Sequence, residues 1–391
     1  MILGTSGYLA DRPRPRWFNV LLSALFIATV ALPSIVFFFP LDPETAIFEN
    51  REPEQWPQWP QDRRSASSYA TRAERSFNDH FGLRGRFLEL DHWVKTAIFR
   101  TSPVPAVLLG RSGWLYFLGE DARALDRWYR GIEPFSDAEI AALRDELLRR
   151  REYLASAGIP YIVVVVPEKY SVYSEFLPSW ATQLTRATPL DRVVEAMRAE
   201  PELEFIDLRP ELRAAKARER VYYMTDSHWN YVGATVGYQR LTSELARVLP
   251  GFRAAPVERP AYVPGVDYYS GDLARMLGLR SGFREDDIAP LSKILVNASR
   301  RCAQRDTANE TPGYEIYVFL CKNPPRYRAL VYRDSMAIPL IPMLAENFSR
   351  SVFVSTRTLD PRVVERYKPD VVIEELVERT LNTPAMFPLR R

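Results

Sequence analysis

The sequence contains little cysteine and little histidine. Its 391 residues include two cysteines, Cys302 and Cys321, and three histidines, His80, His92 and His228. Structural zinc sites use about four such ligands at short spacings, and these five residues form no cluster of that kind. We therefore predict that the chain has no structural metal site. The two cysteines are compatible with one disulfide in an oxidising compartment.

An excess of charge of one sign is also lacking. Fifty-two Lys and Arg stand against 49 Asp and Glu, which leaves a formal net charge of +3. Proteins that bind nucleic acids usually carry a basic patch or stripe. The basic cluster at residues 149–151 closes a helical pattern that begins with acidic residues, and the helix dipole favours cations there. We therefore expect no nucleic acid partner.

One long apolar run stands out against this mixed composition. Residues 17–40 contain no charged side chain, and a helix needs about 20 apolar residues to cross a bilayer. Arginines precede the run and acidic residues follow it, at Arg12, Arg14, Arg16, Asp42, Glu44 and Glu49. The positive-inside rule then predicts a cytoplasmic segment 1–16, a membrane anchor 17–40 and an exported remainder. The alternative is a cleaved signal peptide, but the apolar run continues past the small-residue site at 28–31.

The chain after this run divides into a short lead-in and a larger domain. Residues 41–65 are rich in Pro and Trp and have no hydrophobic period, which is typical of a stalk. Helical spacing follows from Tyr69 to Ile98. We therefore assign residues 41–100 to a stalk and helical lead-in, and residues 101–391 to the main domain.

The main domain has the pattern of an α/β fold. A capping box at Ser136 begins a predicted helix through Tyr153, and the β-branched run 161–166 is typical of a strand buried on both faces. Further helices are predicted at 191–198, 231–248 and 336–348, and further strands at 203–206, 328–332, 352–354 and 371–373. This alternation predicts a mostly parallel sheet flanked by helices. Chemistry in such sheets gathers at the C-terminal ends of the strands.

The segment 224–230 carries the most informative polar residues. Asp226 and His228 are two apart just before a predicted helix, so an extended backbone points both to one side, together with Asn230. An aspartate beside a histidine can fix the imidazole tautomer and stabilise its cation. The alternative is that Asp226 or Asn230 simply caps the following helix.

A candidate nucleophile follows the predicted strand 328–332. Ser335 lies on a strand-to-helix turn, where a hydroxyl is exposed near backbone N–H groups. Asp334 or Ser335 is equally explained as a helix cap, and only the pairing with His228 favours a nucleophile. Arg333 is a candidate for binding substrate or stabilising charge, or else an exposed residue at the strand end.

Lys169 follows the buried strand 161–166 and lies at the edge where ligands bind in such sheets. It is a candidate for orienting substrate or the surroundings of His228, and a salt bridge with Glu168 is the alternative. His80 and His92 follow no core strand, so we interpret them as packing or capping residues.

Taken in order, several motifs resemble the SGNH-hydrolase-like domain of alginate O-acetyltransferases of the AlgJ and AlgX type. The resemblance covers most of residues 47–381. It rests on the motifs at 49–51, 79–84, 113–116, 166–169, 225–230, 334–335 and 369–379, together with Tyr173, Leu177 and Pro178. It implies an SGNH-hydrolase-like fold and a triad of Asp226, His228 and Ser335. Trp229 and Asn230, which lie beside the histidine in the sequence, are further candidates for substrate binding.

Two departures concern the substrate. Met336 follows the serine where family members often have an aromatic residue, and Arg333 precedes the Asp-Ser pair. No separate carbohydrate-binding module is expected after Arg379, so the resemblance is closer to the anchored AlgJ-like branch.

The resemblance implies an acetyltransferase that needs no organic cofactor and acts outside the cytoplasm on an exported polysaccharide. A multi-pass membrane O-acyltransferase would supply the acetyl group. Two alternatives stay open: an esterase that passes the acetyl group to water, and a scaffold of an export complex without catalytic activity.

Overall fold

The computed structural model describes residues 16–38, 54–119, 122–257, 268–279, 282–286, 302–305, 314–322 and 326–381. The chain forms two compact units that meet in sequence between Phe99 and Arg100. The first unit contains α1 (Arg16–Phe38), α2 (Arg63–His80), α3 (Arg84–Trp93) and a π-helical turn at Val94–Ile98. Among the residues described, no helix combines the length and the apolarity that crossing a membrane requires. The predicted anchor 17–40 is therefore not confirmed, and its last two residues lie outside the described part.

The second unit is built on a seven-stranded sheet. Its strands are β3 (Tyr161–Val166), β4 (Glu204–Asp207), β7 (Cys302–Arg305), β8 (Ile316–Cys321), β9 (Arg328–Arg333), β10 (Arg350–Ser355) and β11 (Val371–Val377). Their order across the sheet is β4-β3-β11-β9-β10-β8-β7. The five strands from β4 to β10 are parallel, and β8 and β7 continue the sheet in antiparallel fashion. The predicted α/β fold with a mostly parallel sheet is confirmed.

Helices and two small two-stranded sheets complete this unit. The helices are α4 (Asp137–Ser156), α5 (Lys169–Val172), α6 (Pro189–Arg198), α7 (Arg209–Ala215), α8 (Tyr231–Val248), α9 (Asp272–Met276), α10 (Ile341–Ala345) and α11 (Pro361–Tyr367). The two small sheets pair β1 (Val107–Leu109) with β2 (Leu115–Phe117), and β5 (Tyr268–Tyr269) with β6 (Glu285–Asp286), both antiparallel. The capping box predicted at Ser136 is present, since its hydroxyl accepts from Glu139 N–H and the Glu139 carboxylate accepts from Ser136 N–H.

Two parts of the sheet differ from the prediction. The antiparallel strands β7 and β8 were not expected, because the helix–strand alternation that marks the parallel part stops before them. Cys302 and Cys321 are register partners on these strands and form a disulfide. The predicted helix 336–348 is wrong: the chain makes a 3-10 turn at Ser335–Ala337 and then the short helix α10. Pro339 and Pro342 lack the N–H groups that a continuous helix would need.

The sheet places charge inside the core as well as apolar side chains. All six residues of β3 are buried. On β11, Glu374 is fully buried and forms an ion pair with the equally buried Arg150 of α4, at 2.8 Å. Glu375, the next residue, is also buried, and the alternation of side chains along a strand directs it to the other face of the sheet. On that second face, Glu375 contacts Asp334 in the turn that follows β9.

Candidate active site

Residues 224–230, which we call the acid–base turn, lie in a tight reversal of the chain before α8. Tyr222 and Trp229 form an antiparallel bridge across it, and the Tyr223 amide donates to the His228 carbonyl. The Asn230 side chain ends the turn by accepting from Gly233 N–H as the N-cap of α8. This reversal brings Asp226 and His228 together just before α8 begins.

Residues 333–338, which we call the nucleophile turn, follow β9. The Asp334 side chain accepts from Met336 N–H at 2.8 Å and from Val377 N–H at 2.9 Å, so it caps the 3-10 turn and ties it to β11. The capping role considered for Asp334 is thus present. Because Asp334 fills it, the Ser335 hydroxyl is left to make other contacts.

The two turns meet through a line of three side chains. The Ser335 hydroxyl lies 2.8 Å from His228 Nε2, and His228 Nδ1 lies 2.6 Å from Asp226 Oδ1. Trp229 Nε1 donates to the Met336 carbonyl at 2.7 Å and so links the two turns beside this line. The structure therefore brings the three predicted residues into the order serine, imidazole, carboxylate, in which an imidazole can remove a hydroxyl proton.

The Asp226 carboxylate is nearly surrounded by donors. Its Oδ1 accepts from the backbone and ring N–H groups of His228, and its Oδ2 accepts from the Tyr269 hydroxyl at 2.6 Å and the Asp272 amide at 2.8 Å. Burial alone would raise the pKa of Asp226, but the hydrogen bond and charge of His228, with those of Tyr269 and the Asp272 amide, lower it strongly. Asp226 is therefore ionised at neutral pH.

His228 is tuned in the opposite direction. Burial lowers its pKa, but the hydrogen bond and charge of Asp226 and the charge of Asp272 outweigh burial, so the net pKa is raised above the ordinary value. The side chain keeps 24% of its surface exposed, against 2% for Asp226. The imidazole is therefore both a stronger base than usual and accessible from outside.

Asp272 is a second acid beside this histidine, and sequence analysis missed it. Its Oδ2 lies 3.5 Å from His228 Nδ1, and its carboxylate accepts from the Ser227 amide at 2.7 Å and hydroxyl at 2.5 Å. Asp226, His228 and Asp272 have the spacing of a metal-ligand group. All four carboxylate oxygens already accept hydrogen bonds from protein donors, and the absence of a metal site stays a prediction.

Lys169 does not make the salt bridge considered for it. Its ammonium is buried and donates to the carbonyls of Tyr223, Met224 and Asp226, at 3.0, 3.1 and 2.5 Å. Glu168 instead forms an ion pair with Arg379. Burial lowers the pKa of Lys169 to about 8, although the nearby carboxylates of Asp226, Glu285 and Asp272 act in the opposite direction.

Two other predicted binding residues have structural partners. Arg333 is buried rather than exposed at a strand end, where it forms an ion pair with Glu315 and lies over the Tyr317 ring. Asn230 is also buried, and its amide donates to the Arg220 carbonyl besides capping α8. Neither of them lines the pocket beside the three-residue line.

That pocket has a volume of about 200 Å³, and its walls include four tyrosine and tryptophan side chains. Its lining residues are Tyr223, Asp226, His228, Trp229, Tyr231, Tyr269, Asp272, Arg275, Ser335, Ile338 and Pro339. The Tyr223 and Tyr269 rings are 4.3 Å apart between centroids. Of the four residues predicted to bind substrate, only Trp229 lines it. In the first unit, His80 Nδ1 lies 2.8 Å from the Ser76 carbonyl, in keeping with the expected local role.

Tyr269, Asp272 and Glu285 support the acid–base turn, and sequence analysis did not identify them. Glu285 accepts from the amides of Met224 and Thr225 and from the Thr225 hydroxyl, at 2.7–2.9 Å. The short elements that carry these residues lack a clear hydrophobic period. Gly271 was the available signal, since a Cβ there would collide with the backbone of the acid–base turn.

The sheet order and the serine–histidine–aspartate line define an SGNH-hydrolase-like domain. The model of the family described as "SGNH hydrolase-like domain, acetyltransferase AlgX" matches residues 107–307, about half of the chain. The chain belongs to this family, which confirms the resemblance indicated by its motifs. The match includes Asp226 and His228 and ends before Ser335.

Individual relatives agree with this assignment. The chain is 27% identical over 329 residues to the probable alginate O-acetylase AlgJ of Pseudomonas syringae pv. tomato, covering 79% of this chain and 77% of that protein. It is 29% identical over 177 residues to the protein of the same name from Pseudomonas putida, covering 45% of this chain and 43% of that protein. The structure of Bacillus cereus PatB1 is similar with a TM-score of 0.50 at 15% identity, covering 70% and 96% of the two chains, and supports the fold alone.

Proposed function

We propose that this chain is a polysaccharide O-acetyltransferase that works through an acetyl-serine intermediate on Ser335. The observation that carries the proposal is the line from the Ser335 hydroxyl to His228 Nε2 at 2.8 Å and from His228 Nδ1 to Asp226 at 2.6 Å. Membership of the acetyltransferase family and similarity to proteins named as probable alginate O-acetylases support the reaction class.

In the first half-reaction, His228 Nε2 takes the proton of the Ser335 hydroxyl while Oγ attacks the carbonyl carbon of an acetyl ester or thioester. The donor's oxygen or sulfur leaves with that proton, and acetyl-Ser335 remains. Asp226 holds Nδ1–H and stabilises the imidazolium without taking its proton. The Ser335 amide, which has no acceptor in the described part of the chain, is a donor for the developing oxyanion.

In the second half-reaction, a sugar hydroxyl in the aromatic-walled pocket gives its proton to His228 Nε2 and attacks the acetyl carbonyl. The bond to Ser335 Oγ breaks, and Oγ recovers the proton. Aromatic rings such as Tyr223 and Tyr269 present flat apolar surfaces suited to the faces of a sugar. No organic cofactor takes part in either step.

We further propose that the chain acts outside the cytoplasm and is held at the inner membrane by residues 17–40. The disulfide between Cys302 and Cys321 supports an oxidising compartment. The expected partners are an exported polysaccharide, alginate-like or another exopolysaccharide, and a membrane-bound O-acyltransferase that supplies the acetyl group. Membrane extraction of the full chain tests the attachment, and release by salt alone contradicts an anchor.

The central test is mass spectrometry of the purified chain after incubation with an activated acetyl ester. We expect an acetyl group on Ser335 and none in Ser335→Ala. Adding oligosaccharide then separates the alternatives: acetylated glycan supports a transferase, and acetate release alone supports an esterase. Donor turnover retained in Ser335→Ala contradicts the proposed role of this serine and favours a scaffold function.

A further inference from the structure

A buried acidic side chain lies beside the nucleophile turn and takes no part in the chemistry described above. Glu375 of β11 is 2% exposed, and its Oε2 accepts from the Asp334 amide at 3.1 Å. Its other oxygen, Oε1, is buried without any donor. Among the nearby charges, the Asp334 carboxylate acts most strongly on this carboxyl group.

If both carboxylates were ionised they would repel each other, and Glu375 Oε1 would stay buried without a donor. No ion pair of Glu375 is present among the described residues to offset that repulsion. The charged groups that face it are Asp334, Arg333 and Arg357, and Arg379 acts on Asp334. A proton placed between the two acids removes the repulsion and supplies the missing donor.

The same contact leads to the serine. Asp334 caps Met336 and ties the nucleophile turn to Val377 of β11. A neutral Glu375 accepts from the Asp334 amide with one oxygen and donates to its carboxylate with the other. These two hydrogen bonds fix Asp334, the residue directly before Ser335.

We propose that Glu375 is a positioning residue for Ser335, and that it acts as a neutral carboxylic acid that shares its proton with Asp334. The inference rests on the proposed role of Ser335 as nucleophile. Burial and the charge of Asp334 raise the pKa of Glu375 well above its ordinary value, in agreement with this geometry. The roles proposed above for Asp226, His228 and Ser335 do not involve Glu375.

Glu374 provides a matched control one residue away. It is equally buried, but it forms an ion pair with Arg150 and lies on the opposite face of the sheet. Glutamine keeps the shape of both side chains. It reproduces a neutral acid at position 375, with one donor and one acceptor, whereas at position 374 it removes a needed charge.

The first measurement is the unfolding temperature of the wild type, Glu375→Gln and Glu374→Gln as a function of pH. Above about pH 4.3 the unfolded chain releases the Glu375 proton that the folded chain keeps. Wild-type stability therefore falls with rising pH through this group, and Glu375→Gln lacks that contribution to the slope. We expect Glu375→Gln to equal or exceed the wild type at pH 7, and Glu374→Gln to unfold on the order of 10 °C lower.

The second measurement is the rate at which an activated acetyl ester acylates Ser335. We expect Glu375→Gln to stay within about twofold of the wild type, and Glu375→Ala to lose on the order of tenfold in kcat with little change in KM, as for the loss of one hydrogen-bonded support. The wild-type rate should decline at alkaline pH as Glu375 ionises, and this decline should be absent from Glu375→Gln.

Glu375→Gln that is destabilised like Glu374→Gln, or that acylates as slowly as Glu375→Ala, overturns the proposal. A pH slope shared by the wild type and Glu375→Gln also overturns it. A wild-type chain that never acylates Ser335 refutes the proposed function instead, and the unfolding comparison still decides whether Glu375 carries a proton.

Discussion

The acid–base turn and the nucleophile turn meet at one imidazole, but they are held in different ways. The acid–base turn takes its support from distant segments: Lys169 after β3, the Tyr269–Asp272 segment and Glu285. The nucleophile turn is supported by the adjacent strand β11, through Glu375 and Val377. One half of the site depends on tertiary packing of irregular segments, and the other half is part of the sheet.

This difference has a consequence for stability and for precision. Contacts between Asp334 and the neighbouring strand β11 position the serine once β9 and β11 have paired. The Asp226–His228 pair, by contrast, is in place only when several separate segments have docked. We therefore expect substitutions that remove a support of the acid–base turn to lower kcat more than chemically similar substitutions beside the nucleophile turn.

The largest effect is expected for Asp226→Asn. The amide presents the wrong partner to His228 Nδ1, so the imidazole tautomer that accepts the Ser335 proton is no longer favoured. Turnover should fall by about 10⁴-fold with the fold intact, as for the equivalent change in other triads. The measurement is kcat for acetyl transfer, with the unfolding temperature as the check on folding.

The pH profile sharpens this prediction. Neutral His228 is the reactive form, and its pKa is raised above the usual value by Asp226. Wild-type activity should therefore fall as pH drops through that raised pKa, and the acid limb should move to lower pH in Asp226→Asn. Asp272→Asn is the control. Because Asp272 lies 3.5 Å from Nδ1, this substitution should lower kcat by less than about tenfold. An unchanged acid limb in Asp226→Asn would contradict the assigned role.

Lys169→Met should give the next largest effect. Methionine fills the space but removes the ammonium that donates to the carbonyls of Tyr223, Met224 and Asp226. The Met224 carbonyl keeps the Leu115 amide as a donor. We expect a loss of about 3 kcal/mol in the free energy of unfolding and on the order of 100-fold in kcat. Urea unfolding and transfer kinetics measure the two quantities.

Lys216 is the matched control for this change. It also donates to backbone and lies over an aromatic ring, Tyr173, but it is partly exposed and paired with Glu175. Lys216→Met should cost less than about 1 kcal/mol. The pKa of Lys169 is about 8 when folded, so the unfolded chain binds more protons between about pH 8 and 10.4, and stability should rise with pH there. Lys169→Met should lack this rise. If Lys169→Met and Lys216→Met lose the same free energy of unfolding, the Lys169 ammonium does not hold the acid–base turn through its three carbonyls.

Tyr269→Phe removes one donor from the acid–base turn and keeps the ring that stacks on Tyr223. A hydrogen bond to a charged group contributes about 1.5–3 kcal/mol, and part of it is recovered by water at this partly exposed position. We expect kcat to fall about tenfold. Tyr268→Phe, at the exposed neighbouring position, is the control and should leave kcat unchanged. Equal kcat in the two variants would show that the Tyr269 hydroxyl contributes nothing to Asp226.

The same two turns show how much of the fold and of the site could be predicted from the sequence. The parallel part of the sheet was predictable because buried β-branched runs alternate with capped helices, as at β3 and Ser136. The proximity of the serine, histidine and aspartate was predictable, because each lies beside such an element and the motifs of the family include all three. The segment after Ser335 shows the limit of prediction from local composition. Its composition predicts one continuous helix, but the chain forms a 3-10 turn and then the short helix α10.

The supports of the acid–base turn were not predictable for a physical reason. Tyr269, Asp272 and Glu285 lie on short segments that are fixed by contacts with Thr225 and Asp226 rather than by their own periodicity. Lys169 was placed at the right edge of the sheet, but whether its ammonium faces a pocket or a ring of carbonyls depends on how the acid–base turn packs against it. Local pattern contains no such information.

The smallest effect on catalysis is expected at Asn230, which separates a capping residue from a binding residue. Its side chain caps α8 and donates to the Arg220 carbonyl, away from the pocket. Asn230→Ala should therefore lower the free energy of unfolding by about 1–2 kcal/mol and leave KM for the oligosaccharide unchanged. Trp229→Phe is the comparison, since Trp229 lines the pocket and its Nε1 joins the two turns. A rise in KM for Asn230→Ala at full folding would return Asn230 to the substrate site, because a cap acts on the helix and has no means of changing affinity for the sugar alone.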